Sequence, residues 1–179
     1  MNPRPETVFA DSDVERIQAV LEGLGYGRDP EADGTAARWL EVLRDYAPRG
    51  EGPEIKALYT QSCGPVIVRA LPFHSLCVHH LLPFFGTADI GFIPRGRLVG
   101  IGSIPKVLHH FSRQPQLQER LGEQVAQHLA AALEAPVAVR LRARHMCMEM
   151  RGAACSGEVE TLSFAGPDPE SVMGLLGPA

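Results

Sequence analysis

The chain has 179 residues, of which 45% are hydrophobic, and its formal net charge is −4 at pH 7. Its length and apolar content are sufficient to bury one sizeable core, and its negative charge argues against nucleic acid or an anionic membrane as a general partner. No apolar run approaches the length of a transmembrane span, and the N-terminal residues lack the apolar core of a signal peptide. We therefore expect a cytoplasmic protein.

Two helices are predicted in the N-terminal third of the chain. The polar residues 11–13 precede apolar residues at helical spacing and predict a capped amphipathic helix that ends at Gly25. A second helix is predicted from about residue 36 to residue 46, with three apolar side chains on one face: Trp39, Leu40 and Leu43. A Pro/Gly-rich connection at 47–55 follows. We therefore predict an N-terminal helical appendage at residues 1–50.

The rest of the chain reads as strands that surround one long helix. Residues 66–68, 88–93 and 98–101 predict strands, of which the last two are joined by a turn at 94–97. Apolar residues then recur at every fourth position and predict a long helix: Leu117, Leu121, Val125, Leu129 and Leu133. Beyond it, Val137, Val139 and Leu141 alternate with Ala138, Arg140 and Arg142, which predicts a half-exposed strand. These elements together indicate an α+β fold.

Cysteine and histidine cluster at two distant places in the sequence. Cys77 and His80 are close enough for one tight turn to present both to an ion, and Cys147 would complete the set after folding. Zinc held by two thiolates and one imidazole keeps a fourth position open, as catalytic sites do. His79 and His145 lie one or two residues from these ligands and are candidate proton-transfer groups.

A plainer interpretation of the same residues is a set of buried cysteines and hydrogen-bonded core histidines. A structural zinc module is less compatible with this sequence, because such a module usually has two close pairs of ligands and the second motif offers only Cys147. The two remaining cysteines, Cys63 and Cys155, are interpreted as ordinary thiols, and a thiolate metal site suits a reducing compartment.

Four ordered motifs lie between Phe73 and Gly152. They are Ser75-x-Cys77-x-His79-His80-Leu81-Leu82-Pro83-Phe84-x-Gly86, Ile90-Gly91-Phe92-Ile93-Pro94, Gln116-x-Gln118-Glu119-Arg120-Leu121, and His145-Met146-Cys147-Met148-x-Met150-Arg151-Gly152. Together these motifs resemble the GTP cyclohydrolase I family. The resemblance implies the tunnelling fold, an antiparallel sheet with long helices packed on one face, and a zinc-binding catalytic domain at 51–179. It also implies a homo-oligomer, a decamer in the family, with active sites at subunit interfaces.

The resemblance also implies the chemistry of the site. Cys77, His80 and Cys147 match the ligands of Zn2+, and His79 and His145 match the proton-transfer histidines. In the family, water activated by zinc attacks C8 of GTP, and the imidazole ring opens with loss of formate. Rearrangement of the ribose then closes the pterin ring of 7,8-dihydroneopterin triphosphate, a step of pterin and tetrahydrofolate biosynthesis.

The same comparison assigns candidate substrate contacts. Glu119 matches the carboxylate that pairs with the N–H edge of guanine, and Gln118 matches a neighbouring pocket position. At the phosphate end, Arg151 matches a family position, whereas Ser103 and Lys106 stand where the family has lysine and arginine. Some anion affinity could remain on one helical face with four basic residues, although a solvated basic face is equally compatible: Lys106, His109, His110 and Arg113.

Further departures leave the substrate open. Val78 replaces a family glutamate, and the acidic Glu158 and Glu160 stand in a segment that is usually rich in Thr and Ser. We therefore retain three hypotheses: a GTP cyclohydrolase I, a related cyclohydrolase that acts on a guanine compound with fewer phosphates or stops after ring opening, and a non-catalytic zinc-stabilised assembly subunit.

Overall fold

The computed structural model of the chain describes residues 9–59 and 64–177. The chain divides into two compact units, Met1–Pro48 and Arg49–Ala179. None of the described helices is both long enough and apolar enough to cross a membrane. Cys63 lies outside the described residues. The assignment of residues 51–179 as the catalytic domain stays a prediction.

The first unit contains two helices joined by short 3-10 turns. Helix α1 spans Asp11–Gly23 and helix α2 spans Thr35–Asp45, with turns at Tyr26–Arg28 and Pro30–Ala32 between them. Both helices lie close to their predicted positions.

The start of α1 and the buried face of α2 differ from the prediction. Asp13 lies within the first turn of α1, where its carboxylate accepts a hydrogen bond from the Ala10 N–H at 3.1 Å. In α2 the buried residues are Ala36 and Leu40, whereas Trp39 is 44% exposed. Positions four apart share a helix face and adjacent ones do not, so Trp39 points away from the face that Leu40 buries.

The second unit is built on a five-stranded sheet with the order β5-β2-β3-β6-β7. All neighbouring strands are antiparallel except β5, which runs parallel to β2. The strands are β1 Ala57–Tyr59, β2 Val66–Cys77, β3 Pro83–Phe92, β4 Arg97–Val99, β5 Pro115–Gln116, β6 Val137–His145 and β7 Glu158–Ala165. The predicted strands β3 and β4 both form, but β4 pairs with β1, because β2 and β6 already occupy both edges of β3.

The main core lies between one face of this sheet and two helices, α3 at Ser103–Ser112 and α4 at Gln118–Leu133. The predicted four-residue repeat of α4 is confirmed, since most of its members are fully buried: Leu121, Val125, Leu129 and Leu133. Gly122 on the same helix faces β7, where an added Cβ would lie 2.5 Å from the Ser163 hydroxyl oxygen. The absence of a side chain there lets α4 lie close against the sheet.

The prediction that β6 is half-exposed is wrong. Ala138 is 0% exposed and Arg140 is 3% exposed, although both point away from α3 and α4. The C-terminal segment covers this second face: Val172 and Leu176 pack on Ala138, and the Arg140 guanidinium donates hydrogen bonds to the carbonyl oxygens of Leu176 and Gly177. Alternation in a sequence predicts two faces, but it does not show what covers each of them.

Candidate metal centre and active site

The strand register brings the two cysteine–histidine motifs to one end of the sheet. Phe84 on β3 lies opposite Ser75 on β2 and opposite His145 on β6. Cys77 lies two residues beyond Ser75, and Cys147 lies two residues beyond His145. Segments separated by almost seventy residues in the sequence therefore leave the same end of the sheet, on either side of β3.

A tight turn after β2 carries the first motif. The Cys77 N–H donates to the Leu82 carbonyl at 2.8 Å, and the Leu81 N–H donates back to the Cys77 carbonyl at 2.8 Å. Leu81 closes the turn with a positive φ of 53°, which an L-residue adopts at a cost that the surrounding bonds must offset. The Cys77 side chain is buried, whereas the two histidines between it and Leu81 are exposed.

The second motif reaches the same place through a single helical turn, α5 at Met146–Glu149. The Met150 N–H donates to the Met146 carbonyl at 2.9 Å, which closes this turn. An ion pair between Arg144 and Glu149 spans its length, and the Nε–Oε1 distance is 2.9 Å. The Arg144 guanidinium lowers the pKa of the Glu149 carboxyl, so the pair is charged at neutral pH.

Three potential ligand atoms come together here, from Cys77, His80 and Cys147, and all lie within 4.8 Å of one another. The Cys77 Sγ–His80 Nδ1 distance is 3.8 Å, close to the separation of about 3.6 Å that tetrahedral zinc imposes on a sulfur and a nitrogen ligand. Two thiols and one imidazole are a donor set that suits zinc. The three residues therefore fit a metal ion and leave one tetrahedral position for another ligand.

The electrostatics of the sulfur atoms favour a bound cation. Burial raises the pKa of the Cys147 thiol, and the neighbouring Cys77 raises it further, whereas the positive charge of Arg151 acts in the opposite direction. Two adjacent thiolates repel each other, and a metal ion relieves this repulsion by binding both. Metal binding at this site would therefore release protons.

His145 lies beside the metal group and is held on two sides. Its ring stacks on Phe84, with 4.8 Å between ring centroids and 5° between ring planes, and its Nε2 lies 2.7 Å from the Oε1 of Gln118. Burial lowers the pKa of His145, whereas the negative charge of Glu119 acts in the opposite direction. This imidazole is therefore neutral near pH 7 and able to accept a proton.

His79 occupies a different environment. It is exposed, its Nδ1 lies 3.9 Å from the Cys77 sulfur, and its ring meets His80 edge-on with 6.1 Å between centroids. The Cys77 sulfur is thus about equally far from His79 and from His80, but only His80 joins the group of three ligand atoms. His79 is therefore placed next to the candidate metal position without contributing to it.

The two adjacent substrate candidates on α4 behave differently. Gln118 is 2% exposed and makes its hydrogen bonds inside the chain. Glu119 is exposed in the first turn of α4, close enough to His145 to influence its pKa. Only the carboxylate is positioned to meet a ligand from solvent.

The phosphate-binding candidates lie in two places. Arg151 follows α5 and is close enough to Cys147 to affect its pKa. Ser103 is the first residue of α3 and Lys106 lies one turn later. Within the described residues, neither Ser103 nor Lys106 makes a hydrogen bond or an ion pair with the metal group.

The suggestion that four basic residues share one exposed face of α3 is wrong at one position. His110 is buried, and its Nε2 lies 3.4 Å from the Gly50 carbonyl oxygen. Lys106, His109 and Arg113 are exposed. Consecutive residues on a helix point about 100° apart, so His109 and His110 cannot both follow the same face.

Glu160, one of the two acidic residues noted on β7, has a structural explanation. The carboxylate of Glu160 accepts a hydrogen bond from Arg142 Nε at 2.7 Å, on the face of the sheet opposite His145. Its charge is therefore balanced by arginine and does not face the candidate metal group. Cys155 is an exposed free thiol.

Two contributions to the site were missed by sequence reasoning. Phe84 stands in the first motif, but its role depends on lying directly across from His145 in the sheet. Gln118 was assigned to the substrate, yet its amide is directed into the fold. The first contact depends on the pairing of β3 with β6, and the second depends on the packing of α4 against β6 and β7.

The chain matches a family model described as GTP cyclohydrolase I over residues 15–167. The chain belongs to the GTP cyclohydrolase I family. The GTP cyclohydrolase 1 of Campylobacter jejuni subsp. jejuni serotype O:6 is 48% identical over 156 residues, which cover 82% of this chain and 81% of that protein. The GTP cyclohydrolase 1 of Hyperthermus butylicus is 35% identical over 157 residues, which cover 80% of each chain.

A solved structure, the apo form of the archaeosine synthase QueF-Like, is also similar. It is 20% identical with a TM-score of 0.42, and the match covers 60% of this chain and 100% of that one. Membership of the GTP cyclohydrolase I family confirms the resemblance noted in the motifs, the α+β tunnelling fold and an enzyme of the hydrolase class. It also supports a guanine nucleotide as the substrate.

Proposed function

We propose that the protein is a GTP cyclohydrolase I, which converts GTP to 7,8-dihydroneopterin triphosphate and releases formate. The observation that carries this proposal is the group formed by Cys77, His80 and Cys147, with His145 held beside it, in a member of this family. An open metal position next to a half-buried, neutral imidazole suits hydrolysis at a carbon between two nitrogens.

We propose Zn2+ as the metal, held by the two sulfurs and by the imidazole of His80. When bound, zinc would supply a Lewis acid that makes water nucleophilic at neutral pH. His145 would exchange a proton with the guanine imidazole, because it is neutral and lies in the enclosed part of the site. His79, which is exposed and adjacent, would exchange protons on the solvent side.

Recognition of guanine would depend on Glu119. A carboxylate offers two acceptors to the two parallel N–H donors of guanine, whereas adenine presents a different pattern of donors and acceptors. The exposed position of Glu119 near His145 supports this role, because a base paired with it would lie close to the imidazole. Gln118, which sequence comparison assigned to the same pocket, is buried, and its amide oxygen lies against His145.

The triphosphate would meet Ser103, Lys106 and Arg151. Two of these positions offer cations, and Lys106 provides a point charge in place of the planar fork of an arginine. These side chains would bind phosphate more weakly than the lysine and arginine of the family. This difference favours a second candidate function, a cyclohydrolase that acts on a guanine compound with fewer phosphates or stops after ring opening. A non-catalytic zinc-stabilised subunit would leave Glu119 and His145 without a role.

We further propose that the protein assembles as a homo-oligomer, a decamer as in the family, with active sites at subunit interfaces. The exposure of Glu119 and Arg151 supports this proposal, because a substrate enclosed on all sides would need walls from another chain. A site with thiolate ligands suits a reducing compartment, and we propose the cytoplasm.

The test is to incubate the zinc-loaded protein with GTP, GMP, guanosine and ATP, and to measure formate and pterin fluorescence. We expect formate and fluorescence from GTP and neither from ATP. Formate without fluorescence would favour an enzyme that stops after ring opening, and faster turnover of GMP or guanosine would favour the substrate with fewer phosphates. No formate from any guanine compound would favour the non-catalytic subunit.

The variant Glu119→Gln tests the proposed recognition of the guanine base. It keeps the size of the side chain but replaces one acceptor with a donor that would face a donor of guanine. We expect kcat/KM for GTP to fall by about 100-fold, with unchanged zinc content. Unchanged kcat/KM would exclude the proposed pairing.

A further inference from the structure

The amide of Gln118 has only one orientation that its surroundings accept. Its Nε2 lies 3.1 Å from the Leu141 carbonyl oxygen, 2.9 Å from the Val159 carbonyl oxygen and 3.2 Å from the Thr161 hydroxyl oxygen. If the amide were flipped, its oxygen would face two carbonyl oxygens, which cannot donate. The surrounding acceptors therefore place the NH2 group toward β6 and β7 and the Oε1 atom toward His145.

This orientation determines which nitrogen of His145 carries hydrogen. An amide oxygen only accepts, so the 2.7 Å contact with His145 Nε2 requires that Nε2 donates. In the neutral imidazole the other nitrogen, Nδ1, is then the acceptor. The stack of the ring on Phe84 holds its plane at the same time.

We propose that Gln118 is a positioning residue: it holds His145 with hydrogen on Nε2 and leaves Nδ1 as the atom that exchanges a proton with the substrate. It does not contact the guanine base, although its neighbour Glu119 would. This inference rests on the proposed function for its kinetic readout and on the contacts of the buried amide for its structural basis.

The chain offers a matched control two residues earlier. Gln116 is also buried, and its Nε2 donates to the Phe111 carbonyl at 3.0 Å and lies 2.6 Å from the Gln124 Oε1. Its Oε1 accepts a hydrogen bond from Arg120 Nε at 2.6 Å. Gln116→Met therefore removes a buried amide with a similar number of bonds, but none of those bonds reaches His145.

The experiment compares Gln118→Met with Gln116→Met in the zinc-loaded enzyme. We expect Gln118→Met to lower kcat for GTP at least 10-fold, with KM within 2-fold and the same zinc content, because the ring of His145 loses its acceptor. Gln116→Met should lower the melting temperature similarly but leave kcat within 2-fold of the wild type. A rise of KM with unchanged kcat would overturn the proposal, since Gln118 would then contact the substrate. An equal loss of kcat in Gln116→Met would overturn it as well.

Two further measurements keep the proposal testable if Gln118→Met is unstable or the wild type is inactive. In Gln118→Glu, a protonated carboxyl can donate to the Leu141 or Val159 carbonyl and accept from His145. The kcat that is lost in Gln118→Met should therefore recover in Gln118→Glu to within about 5-fold of the wild type. A Gln118→Glu enzyme as slow as a His145→Ala enzyme would overturn the proposal.

If the wild type releases no formate from GTP, the proposed function fails. Crystal structures of the variants then decide whether Gln118 positions His145. A His145 ring turned away from Phe84 would support positioning by Gln118, and an unmoved ring would overturn it.

Discussion

At the scale of single residues, the candidate site combines buried and exposed side chains that lie within a few positions of one another in the chain. Cys77 is buried at the end of β2, whereas His79 and His80 follow it in an exposed turn. His145 is half-buried between Phe84 and Gln118. A buried imidazole has a defined orientation and an exposed one is free to rotate, so the two spare histidines are suited to different proton transfers.

The variant His145→Ala tests the inner histidine. We expect kcat for GTP to fall by about 10²–10⁴-fold, the range typical for loss of a general acid or base, while zinc content stays at the wild-type level. The control is His74→Ala, since His74 is an exposed histidine that stacks on Phe85 with 6.0 Å between centroids. Steady-state kinetics and metal analysis check both variants, and normal turnover of His145→Ala would exclude its proposed role.

At the scale of elements, β6 is the strand on which the site depends. It pairs with β3 and β7 along its whole length, carries His145 at its end and leads directly into α5. Its inner face packs on α4, and its outer face is covered by the C-terminal segment through Val172 and Leu176. Its position is therefore fixed from both sides of the sheet.

Removal of one contact from the C-terminal segment should lower stability without affecting chemistry. Leu176 is buried against the face of β6 that points away from His145. Leu176→Ala should reduce the free energy of unfolding by about 2–4 kcal/mol, through lost burial and a residual cavity. The control Met173→Ala, at an exposed position of the same segment, should change it by about 0.5 kcal/mol or less. Urea unfolding measures both, and a similar small effect of the two substitutions would contradict the covering role of Leu176.

Helix α3 contains a histidine that should make folding dependent on pH. Burial lowers the pKa of His110, and the positive charges of Arg49 and His128 act in the same direction, opposed by the hydrogen bond to the Gly50 carbonyl. In the unfolded chain this histidine has its ordinary pKa near 6.5, so below that pH the unfolded state binds more protons than the folded state. Stability is then complete above about pH 6.5 and is lost as the pH falls.

We therefore expect the free energy of unfolding to decrease on acidification below pH 6.5 by at most about 1.4 kcal/mol per pH unit from this group. His110→Gln should remove that component of the slope. His109→Gln, at the neighbouring exposed histidine, should leave it unchanged. Urea titrations between pH 7 and pH 5 measure the slopes, and identical slopes for the wild type and His110→Gln would contradict the prediction.

At the scale of the whole molecule, the metal group joins parts of the chain that are distant in sequence. Cys77 and Cys147, which would contribute ligands, lie before and after the segment that contains α3 and α4. A metal bound by both would therefore stabilise the arrangement of β2, β3 and β6 rather than one loop. The unfolded chain has no such site, so binding free energy becomes folding free energy.

Zinc should raise the stability of the folded protein by mass action. When the free zinc concentration exceeds the dissociation constant for zinc, each further tenfold increase should add about 1.4 kcal/mol to the free energy of unfolding. Removal of zinc with a chelator should reverse this effect. Cys147→Ala should abolish this dependence, whereas Cys155→Ala, which removes an exposed thiol, should retain it. Thermal unfolding in zinc buffers measures the effect, and a melting temperature independent of zinc in the wild type would exclude the metal site.

Much of the local structure and of the site could be predicted from the sequence. The spacing of Leu121, Val125 and Leu129 is sufficient for α4, because helical periodicity depends only on neighbours along the chain. The group of candidate metal ligands was predicted from residue type, since cysteine and histidine are common ligands of zinc. Family membership agrees with the motifs that contain them.

The errors concern contacts between distant segments. Arg140 was expected to be half-exposed, but it is buried because the C-terminal segment covers it. The substrate contact of Gln118 stays a prediction, but the bonds of its amide to β6 and β7 were not foreseen. His110 was placed on an exposed basic face, but it points toward Gly50. In each case the partner of the side chain lies in a segment that is distant in the sequence.

The sequence by itself predicted the helices α1, α2 and α4 and parts of the strands β2, β3, β4 and β6. It also indicated which residues are suited to bind a metal and which family the chain resembles, because those properties depend on residue type and local spacing. Only the tertiary structure decided that Phe84 and Gln118 hold His145 and that β6 is covered on both faces. The physical reason is that strand register and the covering of a face depend on residues far apart in the chain. The contacts that orient the candidate catalytic side chain of His145 exist only after those residues have met.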